Sequence, residues 1–212
     1  MYERIPVNYT PLGYNSYMCG SYTITSKPKE LSEYFRATLP TGSILMNNRT
    51  RPTQRLPVIL EDNPNQIVLA HWGYPIHIGS AEKELINIRA ESIETKPFFK
   101  KAAVKHRCII LADGFYEWKK EPGKNQPYKL TINHTPMAMA GIYKWQEKKL
   151  TGEMLPFFSI ITVPPNDFMK DIHDRMPVIL EVGAEKNWLL SPSVTDLLRP
   201  YTSKMAAEVV SL

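Results

Sequence analysis

Short runs of β-branched and aromatic residues, punctuated by prolines and turn residues, leave this chain few options other than a β-rich fold. Residues 56–60, 66–70, 107–111, 115–119, 128–132, 137–143, 157–163 and 177–180 each read as a strand. The 18 prolines are spread over the whole length, which suits many short elements joined by loops and disfavours a helical bundle, because an interior proline removes a helical hydrogen bond and clashes with the preceding turn. Asp113-Gly114 and Pro122-Gly123-Lys124-Asn125 supply turns between neighbouring runs, so meander-like antiparallel pairing is expected.

Helical signals interrupt the strands. Ser26, Pro28 and the spacing Leu31, Tyr34, Phe35, Leu39 predict a capped amphipathic helix. Further helices are expected over 95–104, near 166–171 and over 184–190. The mixture predicts an α+β protein: a single compact domain with a central, mostly antiparallel β-sheet or barrel-like core and peripheral helices. At 212 residues one such core is large enough to be stable alone.

The domain is expected to span 18–212, with 1–17 as an N-terminal extension. That extension contains Pro6, Asn8, Pro11, Gly13 and Asn15 and lacks the apolar stretch of a secretory signal. An upstream start codon, a removable leader and an ordered extension all fit it. No run approaches the roughly 18 apolar residues of a membrane helix, so a soluble, cytoplasmic protein without a membrane partner is expected. The two cysteines, Cys19 and Cys108, are far apart, which argues against a disulfide framework. With 26 Lys+Arg against 21 Asp+Glu the net charge is +5; a polyanionic partner and a plain coat of solvated lysines fit this equally well.

Residues that carry chemistry gather in three places. Glu117 lies between Tyr116 and Trp118 in a predicted strand, sharing a face with Phe115 and Lys119. In a partly apolar pocket desolvation would raise its pKa and suit it to proton exchange; on a solvated face it would pair with Lys119. His173, in Asp171-Ile172-His173-Asp174-Arg175-Met176-Pro177, titrates near neutrality from a strand-entry loop. Asn87, Arg89 and Glu91 share a face if extended. Arg89 suits a phosphate and Asn87 a carbonyl or amine, against a local Arg89–Glu91 ion pair. Trp72, Tyr74, Phe115 and Trp118 offer rings for base stacking, or else core. No histidine or cysteine spacing matches a zinc site, and no phosphate loop, nucleophile elbow or dinucleotide fingerprint is present. Neither metal nor cofactor is expected.

Met18-Cys19-Gly20, Trp72-Gly73, Asn87-Ile88-Arg89-Ala90-Glu91, Ala112-Asp113-Gly114-Phe115-Tyr116-Glu117-Trp118 and His173-Asp174-Arg175-Met176-Pro177, in this order, resemble the SOS-response-associated peptidase family. Ala140-Gly141-Ile142-Tyr143 and Ile160-Ile161-Thr162 look like that family's central strands. The resemblance implies a sensor of abasic sites in single-stranded DNA, active in the DNA damage response, nucleoid-associated when bound, and covalently linked to the lesion through an N-terminal cysteine, here Cys19. It implies that Asn87 positions the amine and sugar, Glu117 shuttles protons, His173 assists ring opening and Arg89 holds a flanking phosphate. It also implies a peptidase step that removes the residues ahead of the cysteine. A monomer is expected.

Two departures stand out. Ser21 replaces an arginine common after the Met-Cys-Gly of the family, and Arg49-Thr50-Arg51-Pro52 replaces its Asn-Val-Ala-Pro, returning positive charge through Arg49 and Arg51. Two other readings remain: a cysteine peptidase pairing Cys19 with His173, and a non-catalytic single-stranded nucleic-acid binding module using Arg49, Arg51, Arg89, Trp72 and Trp118.

Overall fold

A computed structural model describes residues 20–40, 44, 46–133, 136–148, 151–193 and 195–212; Cys19 lies outside the described residues. In chain order the elements begin with β1 (Tyr22–Thr23), α1 (Pro28–Phe35), β2 (Arg55–Leu60), β3 (Asn63–Trp72), β4 (Tyr74–Ile78) and β5 (Ala81–Leu85). β6 (Asn87–Arg89) runs directly into α2 (Ala90–Thr95) and α3 (Pro97–Lys105). They continue with β7 (Arg107–Ala112), β8 (Gly114–Glu121), β9 (Lys124–Ile132), β10 (Met137–Glu147) and β11 (Met154–Val163), then β12 (Met176–Pro177), α4 (Glu185–Leu190) and β13 (Met205–Val209).

Strands β10, β7, β2, β3 and β11 are hydrogen-bonded in that order, and β10 pairs again with β11, which closes a ring without free edges. Every position of β7 is buried, as expected of a strand covered on both faces. Inside the ring Gly141 is required: a Cβ there would meet the Ile110 side chain at 2.4 Å and the Ser159 carbonyl oxygen at 2.6 Å, both shorter than real contacts. The α+β, barrel-like expectation holds. The meander does not, because β11 lies parallel to β3 and to β6.

The second sheet has the order β1-β8-β9-β13. Asp113-Gly114 is therefore no hairpin turn: β7 belongs to the ring and β8 to this sheet, and Asp113 is the corner between them. The hairpin expected around Pro122-Gly123 does form, with Glu121 opposite Lys124 and Gly123 at φ 78°, a backbone region that favours glycine.

The helices depart from expectation in instructive ways. α1 begins at Pro28, yet Ser26 does not cap it: its hydroxyl donates to Asp113 Oδ1 (2.6 Å), and Glu30 instead accepts from the Lys27 N–H (2.8 Å). Leu39 falls beyond the helix and is exposed. The helix expected over 95–104 is two helices, broken at Lys96-Pro97, because proline disfavours the helical region for the residue before it. Residues near 166–171 make turns closed on Asn166, whose carbonyl accepts from Met169 and Lys170 (3.1 Å each), but no helix. The β4–β5 hairpin was not expected, since the exposed Ala81-Glu82-Lys83-Glu84 stretch has little strand propensity.

Candidate active site

Both faces of β8 are covered near its start, where Phe115, Tyr116 and Glu117 are all buried, and Glu117 is 1% exposed. A solvated carboxylate paired with Lys119 is thereby ruled out. What lies opposite it is His173, with Nε2 3.8 Å from Glu117 Oε2. The loop that carries His173 leaves the Asn166 turns, with the His173 N–H donating to the Met169 carbonyl (2.9 Å), and enters β12 along β11.

Burial holds the His173 imidazole below its ordinary range, opposed by the Asp174 carboxylate. Two contacts compete at Nδ1. The Arg175 N–H donates to it at 3.2 Å, which requires a lone pair, whereas Asp174 Oδ1 at 3.0 Å would require a hydrogen. The Asp174 side chain is 86% exposed and solvated, while the backbone N–H has nowhere else to turn. Nδ1 therefore accepts, and in the neutral ring the hydrogen sits on Nε2, facing Glu117. The carboxylate and the imidazole face each other away from bulk water, at a separation wider than a direct hydrogen bond.

β6 brings the Asn87 motif to the same end of β11. Asn87, Ile88 and Arg89 pair with Ile160, Ile161 and Thr162, while on the other edge Pro177 pairs with Thr162. The motif is strand only through Arg89, because α2 starts at Ala90. Glu91 thus leaves the shared face and does not pair with Arg89: its carboxylate takes both ends of the Arg175 guanidinium, at 2.5 and 2.9 Å. Arg175 is 7% exposed and donates a further bond to the Thr162 carbonyl (2.7 Å). Arg89 itself is exposed.

Strand β1 carries the N-terminal end of the described chain along β8. Tyr22 is opposite Phe115, and the Tyr116 N–H donates to the Ser21 carbonyl (2.9 Å). Continued back two residues, this register sets Gly20 level with Glu117. Three side chains clamp this segment. Ser21 Oγ donates to the Thr50 carbonyl (2.7 Å), Thr50 Oγ1 bonds the Tyr22 backbone, and Asp113 accepts from the backbone N–H and hydroxyl of both Thr25 and Ser26. Ser21 therefore spends its hydroxyl on the 49–52 segment.

The DNA-facing candidates separate. Arg49 lies over the half-buried Trp118, its guanidinium carbon 5.8 Å from the ring centroid, and Arg51 is exposed. Trp72 does not join them. It is 0% exposed, donates its indole N–H to the Ile86 carbonyl (2.9 Å) and packs on Tyr22 and Phe158; Tyr74 and Phe115 are likewise core. Trp72 follows the apolar run of 66–70 by two residues, and that proximity was the signal for burial. Cys108 is buried, and burial pushes its thiol well up, which leaves it inert as a nucleophile. A groove of about 680 Å3 among Tyr34, Phe35, Ile59, Ile109 and Leu189 contains none of these residues.

Residues 18–212 match the family described as SOS response associated peptidase (SRAP). The chain belongs to this family. Among SRAP relatives, it is 39% identical over 199 residues to the abasic site processing protein YoqW of Bacillus subtilis, covering 87% of this chain and 88% of YoqW. It is 36% identical over 120 residues to the abasic site processing protein YedK of Escherichia coli, covering 56% of this chain and 52% of YedK. A crystal structure of a Bacteroides thetaiotaomicron protein superposes with TM-score 0.80 at 28% identity, covering 91% of this chain and 92% of that one. The SRAP match starts one residue before Cys19, and Asn87, Glu117 and His173 all fall within it. No helix among the described residues is long and apolar enough to cross a membrane.

Proposed function

We propose that this protein recognises abasic sites in single-stranded DNA and attaches to them covalently through Cys19. The observation that carries the reading is the buried Glu117–His173 pair at 3.8 Å, on a strand, β8, that pairs with β1, which begins at Tyr22. Gly20, the residue after Cys19, continues the register that pairs Tyr22 with Phe115. The printed names of the relatives, abasic site processing proteins, point to the same lesion.

The chemistry balances. An abasic deoxyribose opens to an aldehyde as its ring oxygen takes up a proton, a step His173 assists. The free α-amine of Cys19, whose pKa near 8 leaves part of it unprotonated, adds to the carbonyl carbon. Glu117 accepts the amine proton and returns one to the hydroxyl that departs as water, which gives a Schiff base. The Cys19 thiol then adds across the C=N bond, its proton passing to nitrogen, and closes a thiazolidine with net loss of one water. Asn87 orients the amine and sugar, while Arg89, Arg49, Arg51 and Trp118 hold the flanking strand. While Met18 is attached, the Cys19 nitrogen is an amide and cannot react. The active form therefore begins at Cys19, with residues 1–17 and Met18 absent or removed, and hydrolysis of the bond ahead of Cys19 is the peptidase step assigned to the same groups.

Intact mass spectrometry before and after incubation with single-stranded DNA bearing one abasic site tests this. A species beginning at Cys19 that gains the oligonucleotide mass less one water is expected, and Cys19→Ala should gain nothing while still binding reversibly in a salt-sensitive manner. Covalent product from Cys19→Ala would refute the mechanism.

A further inference from the structure

We infer that Glu91 is a positioning residue for His173, acting through Arg175. The inference rests on the proposed reaction, since it concerns how that site is held. Arg175 is bound at two points. Its backbone N–H donates to His173 Nδ1 (3.2 Å), and its guanidinium, buried under β11, is gripped at both ends by Glu91 and once by the Thr162 carbonyl. The side chain thus sets where the backbone of residue 175 lies, and that backbone sets the orientation and tautomer of the imidazole. Glu91 in turn is held by α2, which grows directly out of the strand carrying Asn87 and Arg89. One ion pair therefore joins the element that presents Asn87 to the loop that presents His173.

The physical consequence of losing the carboxylate follows from burial. A guanidinium 7% exposed without its counter-ion is strongly disfavoured, and the cheapest response is for Arg175 to move toward water, carrying the 173–175 loop with it. His173 then loses its fixed donor at Nδ1 and its alignment with Glu117. Glu91 is about half exposed in its side chain and touches no reacting group in this arrangement, so its effect on rate must pass through Arg175.

The test compares Glu91→Gln, His173→Gln and the double variant, each beginning at Cys19, with a single-stranded abasic oligonucleotide. The maximal attachment rate at saturating DNA and the reversible affinity in a Cys19→Ala background are both read, with thermal melting to establish folding. Glu91→Gln should lower the maximal rate by about tenfold, as a small misalignment of reacting groups does. Its affinity should be unchanged or tighter, since an anion beside Arg89 is removed. In the His173→Gln background the same change should add nothing, because the group being positioned is gone. A wild-type rate in Glu91→Gln, parallel losses of rate and affinity, or a full further loss in the double variant overturns the inference. A wild-type rate in His173→Gln overturns the reading of the site beneath it.

Discussion

At the scale of single residues the local pattern predicts which way a side chain faces, but not what it meets there. Alternation along 115–119 correctly places Glu117 with Phe115, yet whether that face is wet depended on His173, 56 positions later. Glu91 illustrates the limit more sharply: its sequence neighbour Arg89 was the obvious partner, and the structure gives it Arg175, 84 residues away. The tryptophans make a test. Trp72→Ala should destabilise by about 3–5 kcal/mol, the usual cost of emptying a buried aromatic site, with little change in DNA affinity per folded molecule. Trp118→Ala should leave urea unfolding nearly unchanged but weaken single-strand binding by about 1–3 kcal/mol, the worth of one stacked base. The reverse pattern would move the proposed DNA surface from Trp118 on β8 to the end of β3.

Among the elements, Arg107 organises more than its place at the start of β7 suggests. Buried at 2% exposure, it donates to the carbonyls of Ala103 and Val104 at the end of α3 and to those of Leu189 and Ser191 at the end of α4, with Glu61 as counter-ion. Helix C-termini leave carbonyls unsatisfied, and here one planar fork serves two of them. Arg107→Lys keeps the charge but cannot span both helix ends. Such a break in a buried network should cost about 3–5 kcal/mol in urea unfolding, and amide exchange should show α4 losing protection before the ring strands. Uniform loss of protection would mean that Arg107 supports the ring itself. None of this was legible from residues 107–111, which read only as an apolar strand.

For the whole molecule, pH dependence follows from what folding does to His173. Burial lowers its pKa below the ordinary value of 6.5, so in the window below that value the unfolded chain binds more protons than the folded one. Stability must then fall as pH drops through that window and level off beneath the folded pKa, while above the ordinary value this group makes stability no more or less pH-dependent. Denaturant unfolding at about pH 7.5 and about pH 5 should show the loss, and His173→Gln should reduce the difference between the two. An unchanged difference would place the acid sensitivity in other groups.

By itself the sequence determined the short strands, the exclusion of a helical bundle, the Gly123 hairpin and the motifs that carry Asn87, Glu117 and His173, because these follow from periodicities and turn sterics that act over a few residues. Only the tertiary structure decided that β10 closes onto β11, that Asp113 is a corner between two sheets, and that the end of β11 brings Asn87, Arg175 and His173 together. Those pairings depend on which strand edges remain unfilled once the core has closed, and a local pattern carries no record of the partner at such separations.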